Sequence, residues 1–324
     1  MTLHIFNPDT DYALAADRRY YTPPAQVVAV RRQLALLPAT YAGKGDYILL
    51  LDKPDRPIES LPYYAEVLQK QIEIIGVETL KNKPQEFSDV SLRPWGWNRS
   101  IRQFLLDAIG KHRSIPSELQ VNHLRELSHR RTTIAFHNEL SDIVDNEIQP
   151  PVELCSVEEA MAAYNSSRNL FFKAPWSSSG RGILLTDDLE PRHVEPWLQG
   201  IISRQGSVMM EKAYPKVLDF ATEWLIENGS ARFLGYSVFK ASRRGKYHSN
   251  INRPQEQLRD LILKTTDNNW SNMWLERLQA AIERIIGDKY VGPIGIDMLV
   301  TESGNINPCV EVNLRHTMGM VYLI

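Results

Sequence analysis

The chain has 324 residues, 43% apolar and 23% charged, an ordinary balance for a globular protein of two or three domains. A formal net charge of −2 excludes the global basic field that gathers nucleic acid. No apolar run approaches the ~18 residues that span a bilayer, and the start MTLHIFNPDTDY shows no secretory leader, so the expected setting is cytoplasmic with no membrane partner.

In chain order, HIF (4–6) reads as a short strand. AQVVAVRRQLALL (25–37) has helical spacing after Pro23-Pro24, and proline suits a first helical turn. DYILLLD (46–52) is a second strand, YYAEVLQKQIEII (63–75) a helix stopped by Gly76, and VETL (77–80) a third strand. Strand–helix alternation of this kind predicts a parallel α/β layer through about residue 90. NPDTDYALA follows the first strand where a dinucleotide-binding unit would carry GxGxxG, so that unit is not expected. Residues 93–140 read as mostly helical. SVEEAMAAY (156–164) opens with a capping box, Ser156 with Glu159 three residues on.

Beyond residue 165 strands predominate. LFFKA (170–174) is apolar except for Lys173, and the loop PWSSSGRG separates it from ILLT. EPWLQGIIS (195–203) is a helix; SVMMEKAY (207–214), ATEWLIE (221–227) and ARFLGYSVFK (231–240) are strands. SNMWLERLQAAIERII (271–286) is an amphipathic helix with Trp274, Leu278, Ala281, Ile282 and Ile285 on one stripe. GPIGIDMLVT (292–301), the turn ESGN and INPCVEVN (306–313) make a hairpin. Cys155 and Cys309 have no CxxC spacing and build no disulfide framework.

Two constellations carry chemistry. Glycine-rich loops bind phosphate because their backbone N–H groups face the anion without intervening side chains. Here the Ser/Gly loop joins two strands, so it reads as a flap over a nucleotide or as a plain hairpin loop. Lys173, alone in its apolar run, favours the flap, since a phosphate oxygen suits a point-charge ammonium. In the late hairpin, Glu311 and Asn313 share one strand face, and a turn centred near Gly304 sets Asp297 opposite Glu311. Carboxylates crowded among apolar neighbours repel one another unless a cation intervenes, and a hard divalent ion does so.

The order of FFKAPWSSSGRG (171–182), VMMEKAY (208–214), GIDML (295–299) and CVEVNLRHTMG (309–319) resembles the ATP-grasp superfamily. The resemblance implies an N-terminal parallel α/β domain (1–115), followed by an ATP-grasp domain (116–324) whose two α+β lobes, about 116–210 and 211–324, sandwich ATP. It makes Lys173 the phosphate-binding lysine and Ser177, Ser178, Ser179, Gly180 and Arg181 the flap. Glu211, Lys212 and Ala213 become the adenine-reading hinge, and Asp297, Glu311 and Asn313 the Mg²⁺ ligands, with Mn²⁺ as an alternative. Arg315 takes the place of a basic residue that holds the transferring phosphoryl group or a substrate carboxylate. With Lys173 and Arg181 it makes up the catalytic set.

The sequence departs from the family where an upstream lysine reaches the α-phosphate. Arg130 or Arg131 stands there, with Arg130 preferred. Asp219 and Glu223 are candidate ribose contacts, and Lys240, Arg243 and Arg244 candidate anion contacts. Trp176 and His316 read as structural. The implied activity is an ATP-dependent ligase joining a small-molecule carboxylate to an amine through an acyl phosphate. A small-molecule kinase on the same scaffold and a non-catalytic nucleotide-binding protein are the alternatives, and a homodimer and a closing helix after Ile324 are left open. GxSxG, HExxH and the DFG and HRD segments are absent, which removes hydrolase, zincin and protein-kinase readings.

Overall fold

The computed structural model describes residues 1–324 except Ser178, Ser179, Arg181, Asn268 and Ile324. The chain divides into two compact units, Met1–Arg125 and Glu126–Leu323. No helix among the described residues is long and apolar enough to cross a membrane.

The first unit contains β1 (Thr2–Ile5), α1 (Thr10–Ala16), α2 (Ala25–Gln33), β2 (Tyr47–Leu50), α3 (Tyr64–Gln69), β3 (Glu73–Gly76), α4 (Val77–Asn82), β4 (Ser91–Pro94) and α5 (Arg99–Ile109), and α6 (Glu118–Leu127) runs across the division. Its sheet is parallel throughout, in the order β3-β2-β1-β4. Successive residues of β2 serve opposite faces, as strand geometry requires. Leu49 joins Leu3, Ile5, Ile101 and Leu105 on one side, while Ile48 packs with Leu36, Ala39 and Val67 on the other. Burial on both faces is the usual condition of a parallel sheet.

Here the structure corrects two expectations. The helix expected over 63–75 ends at Gln69, because Gln71 turns left-handed at φ 53° and the β-branched pair Ile74-Ile75 continues as β3. VETL is not a strand: it opens α4 after Gly76, whose extended backbone serves as the N-cap. Strand β4, SLRP, carries too short a pattern to be read in advance.

The second unit contains α7 (Thr132–Glu139), β5 (Val152–Leu154), α8 (Val157–Ser166), β6 (Leu170–Lys173), β7 (Ile183–Leu185), α9 (Pro191–Gln205), β8 (Val208–Lys212), β9 (Lys216–Glu227), β10 (Ser230–Ala241), β11 (Tyr247–Asn250), α10 (Gln255–Thr265), α11 (Asn272–Ile285), β12 (Gly292–Thr301) and β13 (Ile306–Asn313). It builds two antiparallel sheets, β5-β8-β6-β7 and β11-β10-β9-β12-β13. The first lays Leu170, Phe172 and Val208 against α8 and α9, where Tyr164 and Leu198 are fully buried. The expected capping box opens α8, with the Ser156 hydroxyl and the Glu159 carboxylate each satisfying the other's backbone. The second sheet packs against α10 and α11, with Phe220 edge-on to Trp270 at 5.3 Å and the Trp270 indole donating to Tyr236. The expected stripe of α11 is the buried one at Trp274, Leu278, Ala281 and Ile282. Helix α7 covers the free edge at β13, which removes an open pairing surface.

Candidate functional site

The faces of the two sheets that carry no helices wall a cavity of about 530 Å³, within the usual range for a small-molecule pocket. From the first sheet come Phe171, Lys173 and Glu211. Phe171 and Glu211 are cross-strand partners, and Lys173 sits diagonally to Glu211 on the same face. The alternation that buries Phe172 thus turns Lys173 into the cavity, where its side chain is only 6% exposed and ion-pairs with Glu211. A lysine in an otherwise apolar strand is accounted for by that carboxylate and by the cavity beyond it.

The second sheet contributes Asp297 and Glu311, paired across β12 and β13 in the expected register. Asn313 lies one step along, and its side chain hydrogen-bonds the Asp297 carboxyl. Burial, then the neighbouring carboxylates Glu311 and Glu223, push Asp297 well above the ordinary carboxylate range, against the pull of Arg315. The Arg315 guanidinium donates to Asn313 Oδ1 at 2.7 Å and to the His316 carbonyl at 3.1 Å. Neither Arg315 nor Asn313 lines the cavity, and the guanidinium holds the Asn313 amide oxygen from outside it. The two carboxylates on the cavity wall, Asp297 and Glu311, are hard oxygen donors of the kind that suit a magnesium ion completed by phosphate and water. Among the described residues no three His, Cys, Asp or Glu side chains gather as a metal site.

Arg130 ties the two sides together. It precedes α7, and its Nε donates to the Ala174 carbonyl at 3.1 Å. One terminal nitrogen donates to Ser177 Oγ at 3.1 Å and to Glu311 Oε1 at 2.8 Å. Arg131 turns away to Glu126 and Glu153 and is 44% exposed. Of the two arginines, only Arg130 lines the cavity.

The other sequence-predicted residues divide. Lys212, Asp219 and Arg243 line the cavity; Lys216 ion-pairs Asp219, and Asp187 pairs with Arg243. Burial raises the Asp219 carboxyl in spite of Lys216. Ala213 lines it too, but both its backbone groups are engaged by Asn169. Lys212 and Tyr214, on either side of it, line the cavity as well. Gly180 lies against the turn after β10: a Cβ there would meet Lys246 Cα at 2.6 Å. Lys240 points away, since Phe239 and Ala241 are the residues of β10 that face the cavity. Glu223 does not line the cavity either; it is 1% exposed beneath the segment after β13. Ser178, Ser179 and Arg181 lie outside the described residues. Trp176 packs edge-on against His129 at 4.6 Å, in keeping with its structural reading.

Sequence reasoning missed Asn169, Lys216, Tyr214 and Asn307 on the cavity wall. Only the i,i+3 charge pairing of Lys216 with Asp219 left a trace in the sequence.

No family model matches the chain, and no curated protein sequence matches it. Solved structures do. A biotin carboxylase domain dimer of the 2-oxoglutarate carboxylase from Hydrogenobacter thermophilus, in complex with MgADP, ADP and bicarbonate, matches at TM-score 0.58 and 16% identity, over 98% of this chain and 64% of that one. A Campylobacter jejuni biotin carboxylase matches at 0.56 and 14%, over 99% and 67%. N5-carboxyaminoimidazole synthetase from Staphylococcus aureus, complexed with ADP, matches at 0.53 and 12%, over 98% and 71%. The chain spans just under two thirds of the length of the first of these. At such identities the likeness is one of architecture, and on it the chain has the fold of the ATP-grasp superfamily.

Proposed function

We propose that this chain is an ATP-dependent ligase that activates a small-molecule carboxylate as an acyl phosphate and passes it to an amine. One observation carries the reading. Two buried cationic side chains, Lys173 and Arg130, and the acidic pair Asp297/Glu311 share the wall of one cavity. Phosphoryl transfer asks a protein for positioning and charge neutralisation more than for a side-chain nucleophile.

In this reading Asp297, Glu311 and Asn313 hold Mg²⁺, which when bound draws charge from the β- and γ-phosphates. Lys173 and Arg130 exchange their present carboxylate partners for phosphate oxygens. Ser177 and Gly180 cover the phosphates and keep water from the acyl phosphate. The backbone of Lys212 and Tyr214 reads the base, and Asp219 reads the ribose. The γ-phosphoryl group moves to a substrate carboxylate oxygen with release of ADP. The amine then attacks the carbonyl carbon, inorganic phosphate leaves and the nitrogen gives up a proton. The solved structures bound to ADP or MgADP support the choice of nucleotide and metal.

The test is ADP release across pools of carboxylates and amines, with hydroxylamine present. A hydroxamate of matching mass supports the ligase. A stable phosphate monoester would replace it with a small-molecule kinase. MgATP binding without ADP in any pool would leave a non-catalytic nucleotide-binding protein.

A further inference from the structure

Glu223 is a buried carboxylate that the proposed chemistry does not use. It stands on β9, on the same sheet face as Asp297, one strand from Gly295. Its Oε1 accepts from Ser237 Oγ at 2.8 Å and from Thr317 Oγ1 at 2.9 Å, while its Oε2 accepts no hydrogen bond among the described residues. Thr317 Oγ1 in turn accepts from the Met320 backbone N–H at 3.2 Å. Glu223 thus closes the segment that leaves β13, and that segment carries Arg315, whose guanidinium holds Asn313 Oδ1.

Two glycines make room for this arrangement. A Cβ on Gly319 would fall inside contact distance of both Glu223 Oε1 and Ser237 Oγ. A Cβ on Gly295 would lie 2.8 Å from Glu223 Oε2 and 2.8 Å from Thr317 Cγ2. An ionisable group so tightly enclosed has no room for a ribose. Nor is its carboxylate needed for strand pairing, which backbone alone supplies.

We propose that Glu223 is a positioning residue: it anchors the Arg315–Gly319 turn through Thr317 and thereby holds Arg315 against Asn313. The effect on metal binding rests on the reading of Asn313 given above, whereas the anchoring of the turn does not.

The experiment combines hydrogen exchange of the nucleotide-free protein with Mn²⁺ binding followed by electron paramagnetic resonance. Glu223→Leu should speed exchange across residues 314–320 about tenfold, the expected loss for one or two buried hydrogen bonds. It should also weaken Mn²⁺ binding about three- to tenfold, with affinity for metal-free ATP unchanged. Glu223→Gln keeps an acceptor oxygen and should restore both readouts. Thr317→Val removes the hydroxyl at nearly constant shape and should reproduce the exchange change if Glu223→Leu does not fold. Unchanged exchange in 314–320, or failure of Gln to restore it, overturns the proposal. A wild-type protein that binds neither Mn²⁺ nor ATP would instead overturn the ligase reading and leave the exchange result to decide the anchoring.

Discussion

Arg130 donates to Glu311 Oε1 at 2.8 Å, from a side chain only 5% exposed. The acid proposed to hold a metal is thus already neutralised by the cation proposed to hold a phosphate. On the proposed reading MgATP would exchange both partners at once: Glu311 would turn from the guanidinium to the metal, and Arg130 would turn from Glu311 to a phosphate oxygen. Metal and triphosphate should therefore each strengthen the binding of the other.

Arg130→Gln separates the two effects by sign. Without nucleotide, Mn²⁺ affinity should rise about tenfold, because Glu311 loses its competing cation, a change of ~1.4 kcal/mol. MgATP affinity should fall over the same experiment, and stability should drop, because an uncompensated carboxylate remains. Calorimetry with each ligand alone and together checks this; unchanged or weaker Mn²⁺ binding contradicts it.

Lys173→Met should weaken MgATP by about 2 kcal/mol, the scale of one charge-assisted hydrogen bond. Part of that loss is the Glu211 carboxylate left without its ammonium. Glu211→Gln in the same chain should recover stability but not affinity. Measuring all four proteins of the double-mutant cycle separates the two contributions.

Asn313→Ala removes one oxygen donor and the partner of Arg315. It should lower ADP formation far more than ATP affinity, because its effect passes through the metal. Steady-state kinetics at varied Mg²⁺ would show it as a raised metal requirement. Equal loss in Asn313→Ala and Lys173→Met would remove the division of roles.

Burial pushes the Glu223 carboxyl up to about 7 from an ordinary 4.5. A folded-state pKa above the unfolded one means the native protein holds more protons between these values. Its contribution to stability is therefore full below pH 4.5 and is lost as pH rises toward 7, by roughly 3 kcal/mol at most. Asp297 is raised in the same direction by burial and by the neighbouring carboxylates. Melting temperature should thus fall from pH 5 to 7.5 in the metal-free protein, less steeply in Glu223→Gln, and Mg²⁺ should restore more at the upper end. A flat profile in the wild type would contradict the burial of Glu223.

Much of the site could be read in the sequence because strand alternation is local. Once FFK and GIDML…CVEVN were taken as strands, the faces of Lys173, Asp297 and Glu311 followed from a two-residue period and one turn. The same rule set Lys240 and Phe239 on opposite faces, but it could not say which face the cavity takes. That depends on which side α10 and α11 cover. The error at 63–80 was also local: Gln71 adopts a left-handed backbone that no periodicity announces, and it moved a helix end and a strand by several residues.

The sequence by itself determined the alternation of apolar and chemical residues, the capped helices and the order of the motifs, because each depends on neighbours within one element. Only the tertiary structure decided the partners: Lys173 with Glu211, Arg130 with Glu311, and Glu223 with Thr317. Those pairs join residues 38, 181 and 94 positions apart. Their geometry comes from packing sheets and helices against one another, a long-range outcome that no local pattern encodes.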